Sequence, residues 1–331
     1  TLASGEVPLM LSLRLFLPES WTSDAARMGQ AGVPAPLQEY RTKPEIAIEE
    51  IDRVMAAGVR FGCVLADAGY GLSAPFRQAL SIRGLCWAVG IPRHQKVYPA
   101  DVQLIFPVAG RGRPRVRHVP DVKSMAAHSM LEGAKWRQVS WRKGTKGRLT
   151  ARFAAMRVRI ADGAPQRIGS AGAQHMPGEE AWLVGEHRSN GERKYYLSNL
   201  PADTPIRALA GAIKARWICE QAHQQLKEEL GLDHCEGRSW TGLHRHALMT
   251  MMAYAFLQYW DATGDLAFMA EHGAEVLVET ARFWLELGHM AEDGFRIECV
   301  TGPDEYTCLV DNNFYTNATA QHNLRGAVRA V

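Results

Sequence analysis

RFGCVLADAGYG, residues 60–71, is a mostly apolar run of strand length that ends on an acid, followed by a glycine-flanked turn. Before it, PEIAIEEIDRVMAA (residues 44–57) has the spacing of an amphipathic helix stopped by Gly58. After it, residues 74–82 read as a helix and LCWAVGI (residues 85–91) as a second apolar strand. Upstream, PLMLSLRLFL (residues 8–17) reads as a strand ended by Pro18. Strands alternating with helices predict an α/β fold around a buried, substantially parallel sheet.

Farther along, the composition changes. RGRPRVRHVP (residues 111–120) is a basic, proline-punctuated loop, suited to lie over phosphates. Residues 136–160 alternate basic and apolar side chains around glycine turns, as exposed antiparallel strands do, and Ser189-Asn190-Gly191 marks a hairpin. Between residues 85 and 160 there are 16 Lys or Arg against 3 Asp or Glu, a balance that suits a polyanionic partner. From residue 259 onward the balance reverses to 12 acids against 4 bases, which sets a boundary near Gln258.

A long helix is expected over residues 204–230, opened by Thr204-Pro205 and stopped by Gly231. Ala215, Ile218, Cys219, Ala222, Leu226 and Leu230 form its apolar face, and Arg216, Glu220, His223 and Lys227 line up on another. That polar row suits a solvated face with Arg216–Glu220 pairing. It also offers a carboxylate flanked by cations. Asp67, at the end of a buried strand, stands where open α/β sheets bind ligands, though an Asp there also serves as a helix cap. Brought together, Asp67 and Glu220 are the kind of acids that two Mg²⁺ ions need for in-line phosphoryl transfer.

These residues carry a resemblance. R-x-x-x-E-x-x-x-x-x-x-K, read as Arg216, Glu220 and Lys227, resembles the signature around the last acid of DDE transposases in the insertion-sequence-four superfamily; Ile213 stands where that signature has Tyr. LADAGYG at Asp67 resembles the block around their second acid. LRLFLPESW, AGVP, WRKGTKGRL and EELGLDHCEGRSWTGLHRHALMTMMAYAFLQ resemble the insertion-sequence (family 701) transposases in collinear order over about residues 1–258.

The resemblance implies an RNase H-like core, incomplete at the N-terminus, split between residues 1–108 and a catalytic-helix part at residues 204–258. A basic β-rich insertion at residues 109–203 would separate the two. It further implies that Asp67 and Glu220 hold Mg²⁺ (or Mn²⁺) and catalyse cleavage, and that Arg216 and Lys227 contact DNA phosphates. Arg142, Lys143, Lys146 and Arg148 of the WRKGTKGR block are expected to bind DNA as well. Trp136 or Trp141 could stack on an unpaired base, with ordinary packing on a β surface as the alternative. The family's first catalytic Asp falls before LRLFLPESW, and on that register before Thr1. Asp24 and Asp52 are the nearest acids, but in a loop and a helix. A two-metal site short of one carboxylate is expected to cleave poorly.

From residue 259, YWDATGD, HGAEVLVETARFW and VTGPDEYTCLVDNNFYTNATAQHNL resemble the catalytic domain of glycoside hydrolase family 65, the inverting disaccharide phosphorylases. Glu305 matches their general acid, which assists departure of the glycosidic oxygen while phosphate attacks the opposite face. Residues 259–331 would then be a short, mainly helical fragment of an (α/α)₆ barrel. With its barrel missing, Glu305 would be non-functional, and Phe283, Trp284 and Leu287 would stay uncovered.

No apolar run reaches membrane-spanning length, and six cysteines show no C-x-x-C pair. His223, His234, His244 and His246 lack the companions of a zinc site. The expected setting is a bacterial cytoplasm, associated with the nucleoid. DNA, both transposon ends and target, is the expected partner, with a homodimer as the assembly. The alternatives from other classes are a carbohydrate-active enzyme fragment and a DNA-binding remnant without catalysis.

Overall fold

The computed structural model describes residues 1–106, 117–144, 147–167, 172–292, 294–298, 311 and 314–330. It divides into two units, Thr1–Tyr254 and Ala255–Val331.

In the first unit, β1 (Leu2–Ser4) and β2 (Val7–Leu9) form a small hairpin. The strand expected over residues 8–17 stops at Leu9. Beyond it the chain leaves the ladder because its polar side chains find partners on a helix: Ser12 and Arg14 bind Glu50 and Glu49. That helix, α1 (Lys43–Ala56), starts with a reciprocal capping box between Thr42 and Glu45. Next come β3 (Val64–Ala66), α2 (Ala74–Ile82, at the bounds the sequence predicts) and β4 (Trp87–Ile91).

The main sheet continues with β5 (Lys96–Pro99), β6 (Met125–Ala126), β7 (Arg137–Gly144), β8 (Gly147–Ile160), β9 (Glu180–His187) and β10 (Arg193–Ser198). Its strand order is β3-β4-β10-β9-β8-β5-β6, with β7 paired to β8. This corrects the expectation of a largely parallel sheet. Among the described residues only β3 and β4 pair in parallel, and the other ladders of this sheet are antiparallel. Short turns join β7 to β8 and β9 to β10, which forces those pairs to be antiparallel, and β10 then adds antiparallel to β4. Gly191, at φ +83°, makes the turn between β9 and β10.

All five residues of β4 are buried, and they alternate between two cores. Trp87, Val89 and Ile91 pack with Phe76 and Leu80 of α2 on one face. Ala88 packs on the other with Phe153, Val184 and the buried Leu209, Ala210 and Ile213. Those last three belong to α3 (Ile206–Ala215), so helices cover both faces.

The long helix expected over residues 204–230 is two helices. α3 is followed by α4 (Trp217–Glu228), with Arg216 at the joint. The two bury different faces: α3 lies on the sheet, whereas Ala222 and Leu226 of α4 form a separate cluster with Met10 and Tyr254. Gly231, at φ +65°, ends the segment as expected. The last helix of the unit, α5 (Trp240–Thr263), extends past Tyr254 into the second unit.

In the second unit, α6 (Ala274–Leu287) packs along α7 (Phe314–Ala330), and Phe268 stacks near Phe256 and Tyr259. Phe283 and Leu287 are exposed, as expected of uncovered apolar faces, and Trp284 is half-buried. No helix among the described residues is long and apolar enough to cross a membrane.

Two glycines seat the turn that follows β3. A Cβ on Gly71 would lie 1.9 Å from the Gly90 carbonyl oxygen, and one on Gly90 would lie 2.9 Å from the Ala68 nitrogen. The helical turn Ala68–Gly71 therefore rests directly on the backbone of β4. Gly71→Ala should destabilise the protein by about 1–3 kcal/mol through forced overpacking. Chemical denaturation checks this, with Gly133→Ala, where no atom lies within 4 Å, as a control expected to change little.

Candidate functional site

Asp67 ends β3 and caps the turn resting on β4. Its Oδ1 accepts hydrogen bonds from the backbone N–H groups of Gly69 (2.9 Å) and Tyr70 (3.3 Å). The cap role anticipated as an alternative is thus present. Oδ2 has no hydrogen-bond partner among the described residues, so one carboxylate oxygen stays available on an exposed side chain.

Glu220 lies in the first turn of α4 and is paired with Arg216. An exposed i,i+4 pair of this kind contributes at most about 0.5 kcal/mol. It therefore does not commit Glu220 to a structural role. Asp67, Glu220 and Arg216 all line one cavity of about 570 Å³.

Five more cationic side chains line that cavity, among uncharged residues. Arg93 reaches it from the turn after β4, and Arg188, Arg193 and Lys194 from the β9–β10 hairpin. Lys214 enters from α3, giving six cationic side chains against two carboxylates. Arg193 also lies over the Trp136 ring at 5.7 Å. Glu186 and Glu192 pair with three of these cations, and the positive charge that remains raises the local concentration of anions. Among the described residues no group of three or more His, Cys, Asp or Glu side chains could hold a metal ion.

A buried acid behind the wall holds two of these cations, Lys214 and Arg188. Glu186, 1% exposed, receives hydrogen bonds from Lys214 Nζ (2.8 Å), the Tyr196 hydroxyl (2.8 Å) and Arg188 Nε (3.1 Å). Burial by itself would raise its pKa. The hydrogen bonds from Lys214 and Tyr196 and the charges of Lys214 and Arg188 outweigh that and hold it below the ordinary glutamate value. Lys214 also lies 4.9 Å from the centre of the Trp141 ring.

The other sequence-predicted residues lie elsewhere. Trp136 and Trp141 are half-buried on the β surface, Trp141 edge-on to Phe153 at 5.8 Å. Arg142 pairs with Glu6 at 3.2 Å and stacks 3.7 Å over Trp217. Lys143 and Arg148 sit opposite each other, exposed, at the β7–β8 hairpin. Lys227 is exposed, and none of these six lines the cavity. Lys146, Glu305 and most of the basic loop at residues 111–120 fall outside the described residues. Asp24 caps a short helix, and Asp52 is held by Arg83 at 2.6 and 2.7 Å. Neither lines the cavity.

The histidines have local partners. His244 and His246 contact the carbonyl oxygens of Trp240 and Gly231, each at 2.8 Å. A hydrogen bond with His223 brings the Cys219 thiol down to about 7 despite partial burial, one residue before Glu220.

Sequence reasoning missed Arg93, Arg188, Arg193, Lys194, Lys214 and Glu186. Arg93 was within reach, since it closely follows a buried strand whose end belongs to the same site. The hairpin cations carried no signal, because their value depends on β10 pairing beside β4.

Comparison with known proteins finds two families. Residues 1–148 match the DDE superfamily endonucleases, and residues 213–331 match the glycosyl hydrolase family 65 central catalytic domain. The chain thus joins a segment similar to the DDE superfamily endonucleases to one similar to the glycosyl hydrolase family 65 central catalytic domain. An alpha,alpha-trehalose phosphorylase of Geobacillus stearothermophilus is 50% identical over 90 residues, 27% of this chain and 12% of that protein. A kojibiose phosphorylase of Caldanaerobacter subterraneus subsp. tengcongensis is 35% identical over 143 residues, 41% of this chain and 18% of that protein. The chain therefore spans less than a fifth of either relative. Asp67 falls in the first matched range and Glu220 in the second, yet α4 packs within the unit that contains Asp67.

Glu186→Gln should lower stability near neutral pH by about 3–5 kcal/mol, the cost of breaking a buried pair. The Glu186 pKa is depressed from 4.5, so its contribution is complete above that pH and is lost as pH falls through the folded value. Denaturant titrations should therefore show the gap between wild type and variant closing as pH falls well below 4.5.

Proposed function

We propose that the first unit binds DNA and acts on its phosphodiester bonds in the manner of a DDE endonuclease with an RNase H-like core, of the insertion-sequence (family 701) transposase type. The observation that carries this reading is the meeting of Asp67 and Glu220 in one cation-walled cavity, although they lie in separate segments of the chain. Arg216, Lys214 and Arg193 would bind the phosphates on either side of the reacting bond. Glu186 would keep Lys214 and Arg188 in place while the substrate's charge arrives.

Mg²⁺ (or Mn²⁺) fits this arrangement, since Mg²⁺ is commonly held by one or two carboxylates together with substrate phosphates and water. Asp67, through its unbonded oxygen, and Glu220 would hold it. The ion would supply Lewis-acid polarisation of the phosphoryl group and an activated water nucleophile. Asp24 and Asp52 are engaged elsewhere, so the described residues bring two carboxylates to the cavity. We therefore expect firm DNA binding and slow cleavage, with transposon ends and target DNA as substrates and the bacterial nucleoid as the setting. In the intact reaction the freed 3′-OH would be transferred into target DNA.

A second reading comes from the family 65 match and its phosphorylase relatives. It makes the C-terminal part a fragment of an (α/α)₆ barrel with Glu305 as general acid. A third reading is DNA binding without catalysis.

Plasmid nicking separates them. The first reading predicts slow Mg²⁺-dependent nicking that falls to background in Asp67→Ala and in Glu220→Ala, with DNA binding retained. Salt-dependent binding with no nicking would leave the third. Phosphate-dependent disaccharide cleavage without DNA binding would establish the second.

A further inference from the structure

The structure has a second cavity, of about 590 Å³. Arg93 lines the first and the next three residues, His94, Gln95 and Lys96, line the second. One turn, closed by Gln95 N–H to Pro92 oxygen at 3.0 Å, therefore supplies side chains to both. We propose that this second cavity binds the phosphate backbone of the same DNA, continuing the strand away from the carboxylates. The inference rests on the function proposed above and adds a site to it.

The charge of the cavity supports an anionic occupant. Its one acidic lining residue, Asp162, is engaged by Arg77 at 2.7 Å, with side-chain exposures of 5% and 1%. That pair is neutral in sum and forms a buried flank. Lys96 and Lys123 are exposed in the same cavity, and neither lies within ion-pair distance of a carboxylate among the described residues. His94 and His175 line it as well. The Nδ1 of His175 is engaged with the Gly163 carbonyl at 2.9 Å, so Nε2 is its remaining ring nitrogen. Unneutralised cations in a concavity repel one another, and an anion relieves that repulsion.

A single turn that serves both cavities favours a polymer over a lone phosphate. Each strand of DNA carries a phosphate about every 3.4 Å of helix axis. A strand crossing Arg93 would thus present successive phosphates to both cavities. Both lysines also belong to the segment with 16 basic and 3 acidic residues.

The test uses the full chain and labelled duplex DNA, with affinity measured by anisotropy across a salt series. Removing one phosphate-binding cation should reduce the slope of log K against log salt by about 1. Lys96→Ala combined with Lys123→Ala should lower the slope by about 2 and weaken binding at every salt concentration. A duplex too short to reach beyond the first cavity should be insensitive to that change. Arg216→Ala, in the first cavity, should lower the slope by about 1 for both duplexes. An unchanged slope in the double lysine variant beside a reduced slope in Arg216→Ala would overturn the second cavity alone. Unchanged slopes in both, or no DNA binding by the wild type, would remove the parent reading as well. Lysine-dependent binding of inorganic phosphate with no lysine dependence for DNA would also overturn the proposal, by showing a small-anion site.

Discussion

The cavity depends on a buried carboxylate that does not line it. Glu186, almost fully removed from water, ties Lys214 on the covering helix to Tyr196 on the neighbouring strand and to Arg188 at the hairpin. Such a group is costly to bury alone, and the donors around it must be fixed to compensate. The consequence is that helix, sheet and hairpin share one electrostatic anchor. Three of the groups that it fixes also face the place where Asp67 and Glu220 meet.

Charge balance is the basis for proposing a polyanion rather than a free metal ion as the occupant of the cavity. Two exposed carboxylates surrounded by six cations do not make a strong cation site. On the proposed function a phosphodiester would change that balance, its oxygens occupying the cationic wall and leaving the carboxylates available to a divalent ion. The available oxygen of Asp67 and the weak pairing of Glu220 with Arg216 are consistent with sites that engage only once the substrate is present.

Much of this was legible in the residues. The helix at residues 74–82, the capping-box helix and the hairpin at Asn190-Gly191 follow from local chemistry, and the structure has them at or near the expected places. Asp67 was readable because a strand-ending acid before a glycine-rich turn is a local pattern. Strand direction was not, since antiparallel addition of β10 to β4 joins residues about a hundred positions apart. The joint at Arg216 also left no mark. Neither glycine nor proline stands there, and the two helices separate because they bury their apolar faces in different clusters. Glu186 reads as one more polar residue of an alternating strand until its partners are folded around it.

The account stands on Asp67 and Glu220 forming one metal-assisted site on bound DNA. Iron-directed cleavage tests this most directly: Fe²⁺ substituted for Mg²⁺ in the DNA-bound protein generates short-lived oxidants that cut the backbone near the ion. The account predicts cuts close to both residue 67 and residue 220, and their joint loss in Asp67→Ala. Cuts near only one of the two, or a pattern unchanged in Asp67→Ala, would contradict it.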